Sequence, residues 1–417
     1  MKISDIKPEV FALAGEVEMA ARDVFEGIDA VARENTRKVM EAFEDNRVSE
    51  ACFAGTTGYG YDDLGRETLD RIYAQVFRTE AALVRTGFVN GTHALSAALY
   101  ALLAPGEILL AATGAPYDTL RCAIGTSGEC HGSLRFYGIG YRQVELAVDG
   151  GPDCAAIRAA AADPKVRAVL IQRSRGYEDR RALTVGEIGA ICEAVRAVNP
   201  AAHIMVDNCY GEFTDTIEPT EVGADIIAGS LIKNPGGGVA PTGGYIAGKK
   251  ELVDRAAMRM TTPGIGGECG STLGQNRLLY QGLFLAPHTV AQALKTAVFC
   301  AGMMERAGYE TSPGTREKRS DIIQMIRLGS GEKMKRFCAG IQAGAPVDSF
   351  VTPEPWQMPG YNCPVIMAAG AFIQGSSIEL SADGPFQEPY IVYLQGGLTY
   401  ESGRLGIMMA LSAMLGE

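Results

Sequence analysis

Among the ten cysteines of this sequence there is no Cys-x-x-Cys pair, and histidine occurs only four times. That removes the spacings by which a zinc site is usually read. Cysteines scattered singly read instead as reduced core thiols of a cytoplasmic protein. Cys130 and His131 form the one metal-like pair, but two adjacent residues seldom reach one ion, so no metal is expected. A basic excess is missing too: 38 Lys and Arg stand against 49 Asp and Glu, a formal charge of -11. Nucleic acid and anionic membrane surfaces need a basic face, so neither is an expected partner. Long apolar runs are also absent. His93 to Ala104 and Val365 to Ile373, the most apolar stretches, fall short of the roughly 18 residues that a membrane span requires. Lys2, Asp5, Lys7 and Pro8 stand where an export leader needs unbroken apolar residues.

A globular chain of 417 residues, 47% of them hydrophobic, is long enough for one large core and one smaller one. From Glu16 to Val48 apolar residues recur at helical spacing between charges, which predicts an N-terminal helical arm, residues 1–50. Between 51 and 286, short apolar runs alternate with helical patterns. Strands are expected at Leu83 to Val89, Ile108 to Ala112, Val166 to Gln172, His203 to Val206, Ile226 to Ala228 and Tyr245 to Ala247. Helices are expected at His93 to Leu103, Asp153 to Ala162 and Thr184 to Val198. That alternation is the pattern of a mainly parallel sheet covered by helices, an α/β fold whose ligands sit beyond the strand carboxyl ends. After Ala286 the texture becomes a helix from Thr289 to Ala307, strands near Ile322 to Arg327 and Val365 to Ile373, and a last helix near Arg404. This reads as a smaller α+β domain, 287–417.

Three segments carry chemistry. Asn90-Gly91-Thr92-His93 opens a helix directly after a strand, where free N–H groups and a side-chain-free glycine suit a phosphate; the same residues also make an ordinary turn and N-cap. Asp207 ends an apolar strand, and a buried carboxylate there needs a cation such as a protonated pyridine nitrogen, or else it caps the following turn. Lys233 leaves a strand behind Ser230 and enters Asn234-Pro235-Gly236-Gly237-Gly238. Desolvation is expected to lower its pKa and free the amine for condensation with an aldehyde, and the glycines either to let a ligand approach the backbone or simply to make a flexible turn. Ser230-x-x-Lys233 also fits a serine-acyltransferase dyad, but the partner motifs of that chemistry are absent. Together, a phosphate cradle, an Asp and then a Lys follow the order in which fold-type-I pyridoxal 5'-phosphate enzymes present their site.

The segments Gly55-Thr-Thr-Gly-Tyr-Gly-Tyr-Asp-Asp-Leu-Gly-Arg66, Asn90 to His93, Val206-Asp-Asn-Cys-Tyr-Gly-Glu212 and Ser230 to Gly238 resemble the aluminium-resistance, methionine gamma-lyase-like family of Cys/Met-metabolism enzymes, over nearly the whole chain. The resemblance implies the aspartate-aminotransferase-like fold, carbon–sulfur lyase chemistry, and a homotetramer, a dimer of dimers in which two subunits build each site. It also implies roles for single residues. Gly91, Thr92 and Ser230 would meet the phosphate, Tyr117 would stack on the pyridine ring, and Tyr59 and Tyr61 would reach the neighbouring subunit's phosphate. Arg404 would clamp the carboxylate of the amino-acid substrate. Better-known relatives have an arginine where Tyr61 stands and a threonine where Ile232 stands. Arg66 is then left either as the replacement phosphate ligand or as a solvent-facing residue. The expected reaction is β- or γ-elimination from a sulfur amino acid. The alternatives are an aldolase or aminotransferase on the same scaffold, or a non-catalytic cofactor-binding stress protein.

Overall fold

The computed structural model describes residues 2–128, 130–358 and 363–416. Two helices open the chain, α1 (Pro8–Ala20) and α2 (Arg22–Asp45). Proline at the start of α1 supplies a preset φ where no donor is needed. The helical arm thus begins earlier than periodicity suggested and is divided at Ala21. Helix α3 (Leu64–Val76) follows, capped by the Asp63 carboxylate, which accepts from the Arg66 N–H at 2.9 Å.

The larger sheet has seven strands: β1 (Ala81–Arg85), β2 (Ile108–Ala111), β3 (Gly140–Gln143), β4 (Val166–Gln172), β5 (His203–Asp207), β6 (Ile226–Ser230) and β7 (Gly244–Gly248). Their order is β1-β7-β6-β5-β4-β2-β3, and β7 alone runs antiparallel to its neighbours. The sheet is therefore mixed, α/β in class, with every other pair parallel. Helices α4 (Gly91–Leu102), α5 (Asp118–Ile124), α6 (Cys154–Ala161), α7 (Val185–Arg196) and α8 (Lys250–Met260) fall between or after these strands. Along β4, β5 and β6 successive side chains alternate between two buried clusters. Val169, Ile171, Ile204, Val206 and Ile227 enter one, while Ala168, Leu170, Met205, Ile226 and Ala228 enter the other. Both faces are covered, which is why these strands read as continuous apolar runs.

Helix α9 (Asn276–Arg306) leads to a second sheet, β8 (Glu310–Ser312), β9 (Ile323–Arg327), β10 (Val365–Ala368), β11 (Ser381–Pro385) and β12 (Ile391–Gln395), antiparallel throughout in the order β10-β11-β12-β9-β8. Helices α10 (Gly331–Ala343) and α11 (Tyr400–Leu415) cover it. Ile6, Val10, Ala14 and Val17 pack into this second core, whereas Val39 and Ala42 of α2 belong to the first, so the arm straddles both. Among the described residues no helix is long and apolar enough to cross a membrane.

Candidate active site

Three neighbouring strands end at one edge of the large sheet on a polar residue: β4 on Gln172, β5 on Asp207 and β6 on Ser230, with Gln172 in register opposite Asp207. Apolar strand interiors hold the backbone down while the polar ends project beyond it. They open into a cleft of about 310 Å³ whose wall also carries Gly91, Thr92, Tyr117 and Lys233. Six of the residues singled out by sequence thus share one cavity. At its floor, α4 begins under the Asn90 cap, whose side chain accepts from the His93 N–H at 2.9 Å. The N–H groups of Gly91 and Thr92 are first-turn donors with no acceptor inside their own helix. A Cβ on Gly91 would stand 3.1 Å from Ser230 Cβ and 3.6 Å from Cys209 Sγ, so glycine keeps this corner open. Ser230 Oγ is buried and has no hydrogen-bond partner. A hydroxyl orphaned beside a helix N-terminus, with a lysine at the same cleft, is a donor set that fits a phosphorylated aldehyde.

Tyr117 is positioned by its N–H, which donates to Gln172 Oε1 at 2.7 Å. Its ring stands edge-on to Tyr177, centroids 6.3 Å apart, and a Cβ on Gly176 would lie 3.4 Å from it. Lys233 Nζ sits 4.0 Å from the centroid of the Tyr210 ring, and the Tyr210 hydroxyl is fixed by Ser377 Oγ at 3.0 Å. Burial alone would push the Lys233 ammonium down in pKa. Cys209, Tyr210 and Asp207 around it push harder the other way and hold it above its ordinary value. The expectation of a lowered lysine pKa is therefore corrected: its neighbours retain the proton. Burial in turn pushes Asp207 up, with Lys233 and the Cys209 N–H opposing it. The Cys209 thiol, also buried, is held well above its usual range and is an inert wall.

The first two glycines after Lys233 are required by the loop's own packing. A Cβ on Gly236 would come within 1.7 Å of the Leu231 carbonyl and one on Gly237 within 2.4 Å of the Gly282 carbonyl, so they let the loop close on itself and on α9.

A family model described as methionine gamma-lyase matches residues 10–415. The chain belongs to the methionine gamma-lyase family. Carbon–sulfur lyase is the reaction class of that family, and pyridoxal 5'-phosphate its implied cofactor. The structure is similar to that of a carbon–sulfur lyase involved in aluminium resistance from Clostridium novyi NT, with 52% identity, 98% of this chain and 96% of that one covered, and a TM-score of 0.95. It is equally similar to a protein of Listeria monocytogenes described as a proposed cystathionine beta-lyase involved in aluminium resistance: 50% identity, 97% and 99% covered, TM-score 0.95. A Bacillus subtilis protein without an assigned function, YnbB, is 48% identical over 403 residues, 96% of each chain.

Other predicted residues of this methionine gamma-lyase family member lie outside the cleft. Tyr59 and Tyr61 are exposed and stacked on each other, centroids 5.7 Å apart, beside a separate cavity of about 660 Å³ that Tyr59 lines. Arg66 does not face bulk solvent; it lines that second cavity with Tyr59. It is 1% exposed and donates to the carbonyls of Gly60, Gly270 and Glu268 at 2.5, 2.7 and 3.1 Å, clamping the loop that carries both tyrosines. Arg404 is also corrected. On α11 it faces α1, where Glu18 takes it at 2.7 and 3.3 Å, and it does not line the cleft. A sequence placed it by its neighbours in the chain, whereas the turn of α11 points it away.

Sequence reading missed the wall contributed by the second sheet. Asp383 of β11 and Tyr393 and Gln395 of β12 line the cleft, and burial pushes the Asp383 carboxyl up to about 7. It also missed Arg173, fully buried, whose side chain donates to Asn208 Oδ1 at 2.8 Å and pairs with Glu218 at 3.3 Å, while its N–H donates to the Asp207 carbonyl at 3.2 Å. The available signal was an arginine directly after an apolar strand.

Proposed function

We propose that this chain is a pyridoxal 5'-phosphate-dependent lyase that cleaves a carbon–sulfur bond of an amino acid, with Lys233 as the residue that holds the cofactor. The observation that carries the reading is the convergence of Lys233, Asp207, the unpartnered Ser230 hydroxyl and the α4 N-terminus on one cleft. Gly91 and Thr92 N–H and Ser230 Oγ would take the phosphate, Tyr117 would cover one ring face, and Asp207 would meet the ring nitrogen. When bound, the cofactor supplies an electron sink for the α-carbon of the substrate.

The protein's own groups do the rest. Lys233 Nζ, in its neutral amine form, would take the proton from the substrate α-carbon, and the Tyr210 ring fixes where that amine can stand. Asp207, kept from solvent at the end of β5, reserves its charge for one cation. Cys209 and Ile232 line the wall and keep water from competing as the thiolate departs. On the cleft wall Ser376 Oγ is buried and unpartnered, a donor that the substrate carboxylate would meet. The products are a thiol, a 2-oxo acid and ammonia.

The same reading divides the chain into an arm at 1–50, a cofactor-binding domain at 51–286 and a smaller domain at 287–417, within the aspartate-aminotransferase-like fold type I. It places the enzyme in the cytoplasm as a homotetramer, a dimer of dimers with sites shared between subunits. The test is thiol and 2-oxo acid release from cystathionine, methionine and cysteine by the purified protein with its cofactor. Release of both supports the lyase. Amino transfer without thiol, aldol cleavage, or no turnover contradicts it.

A further inference from the structure

Cys130 meets a second thiol in space that its neighbours in the chain do not show. Helix α5 ends at Gly125, whose φ of 94° turns the chain back. The Leu134 and Arg135 N–H groups then donate to the carbonyls of Ala123 and Ile124 at 2.9 and 3.1 Å. That fold-back brings the Cys130 thiol within hydrogen-bonding reach of the Cys122 thiol on α5, while the His131 ring packs on Phe136, centroids 4.9 Å apart. Cys122 is exposed, Cys130 is partly so, and Ser127 Oγ stands 3.0 Å from Cys122 Sγ. Two thiols side by side at the surface differ chemically from thiols buried in a core, because a solute can reach them and they can be joined with little backbone movement. The same helix touches the cleft. Tyr117 stands at its start and Thr119 one turn before Cys122; both line the cavity, and Thr119 Oγ1 lies 2.7 Å from Thr92 Oγ1 at the corner where α4 begins. With seven residues, about two turns, α5 moves as one piece, so a pull at Cys122 is felt at Thr119.

We propose that Cys122 and Cys130 form a reversible disulfide site, closed by low-molecular-weight disulfides, and that closure draws α5 off the Thr92 corner and loosens the cofactor. The second half rests on the cofactor reading above; the first does not. Partial burial, and then the Cys122 thiol, push Cys130 up from its ordinary value, so the exposed Cys122 reacts first. Its thiolate attacks one sulfur of the small disulfide and expels one thiolate; the Cys130 thiolate then attacks the Cys122 sulfur and expels the other. One protein S–S bond replaces the reagent's, the two electrons pass to the two released thiols, and these take up the two protons that the cysteines gave up. An excess of small thiol runs the exchange backwards.

The probe is glutathione disulfide. The holoenzyme is treated with it, remaining thiols are alkylated, and the mass of the tryptic peptide 122–135, which holds both cysteines, is measured. The peptide should escape alkylation and be lighter by two hydrogens than its reduced form, and dithiothreitol should return two alkylated thiols. Cys130→Ser should instead retain one glutathione on Cys122. Two free thiols in the treated parent, a glutathione that stays on its Cys122, or a bridge from either cysteine to another one overturns the site, and none of these results depends on a variant or on bound cofactor. The bridged holoenzyme should lose pyridoxal phosphate on dialysis about three- to tenfold faster than the reduced one, the worth of one hydrogen bond. In Cys122→Ser the same treatment should leave the release rate unchanged. Equal rates from bridged and reduced parent overturn the link from α5 to the cofactor. A parent that never holds pyridoxal phosphate fails the cofactor reading and takes that link with it, while the mass of the peptide still decides the disulfide.

Discussion

Asp207 ends β5 and Lys233 follows the neighbouring β6, and each holds the other's charge: Lys233 opposes the upward push of burial on Asp207, and Asp207 helps retain the Lys233 proton. An amide in place of the acid keeps the shape and removes the charge. Asp207→Asn is expected to keep the cofactor bound while slowing turnover on the order of 10² to 10⁴, at tenfold per 1.36 kcal/mol. Steady-state rates of the variant within a few-fold of the parent would remove Asp207 from this role. Both residues were legible in the sequence because each is a polar residue ending an apolar run, the one place where a parallel sheet presents side chains to a ligand. Arg404 was not legible in the same way. Its neighbours in the chain suggested a clamp, but which face of α11 it occupies is decided by packing, and that face meets Glu18. Asp383 was hidden for another reason: Ser-Ala-Asp-Gly-Pro, the whole of β11, has the composition of a turn.

Elements show the same division. Strands β4, β5 and β6 were plain because they are buried on both faces, whereas β3, at the sheet edge with Arg142 and Gln143 exposed, has no apolar run to read. Helix α9 was read as beginning after Pro287, a residue that usually ends helices; it instead runs unbroken from Asn276, held by burial along most of its length. That β7 runs against its neighbours is a matter of connection, which side-chain periodicity does not encode. The loop from Gly55 to α3 depends on Arg66, whose guanidinium serves three carbonyls at once. Arg66→Met keeps much of the volume and leaves those acceptors bare. It should cost about 2 to 4 kcal/mol of stability, seen as a lower denaturation midpoint with an unchanged slope. A midpoint equal to that of the parent would show that the loop needs no clamp.

At the scale of the molecule, the cleft draws its walls from both sheets, so its two sides are built by different parts of the chain. The first part was readable because its chemistry sits at strand ends; the second was not, because it depends on how two sheets meet. The tyrosines of the 55–66 loop, exposed and away from their own cleft, are proposed to complete the site of a neighbouring subunit. Mixing inactive Lys233→Ala protein with inactive Tyr59→Phe, Tyr61→Phe protein should then restore part of the activity in hybrid assemblies, and a fully active tyrosine double variant would refute the sharing. The central claim is narrower, that one lysine holds the cofactor. It is tested most directly by borohydride reduction of the holoenzyme followed by intact-mass and peptide analysis. The account predicts one cofactor attached per chain, on Lys233, and none in Lys233→Ala; attachment to any other lysine, or an unmodified parent chain, would contradict it.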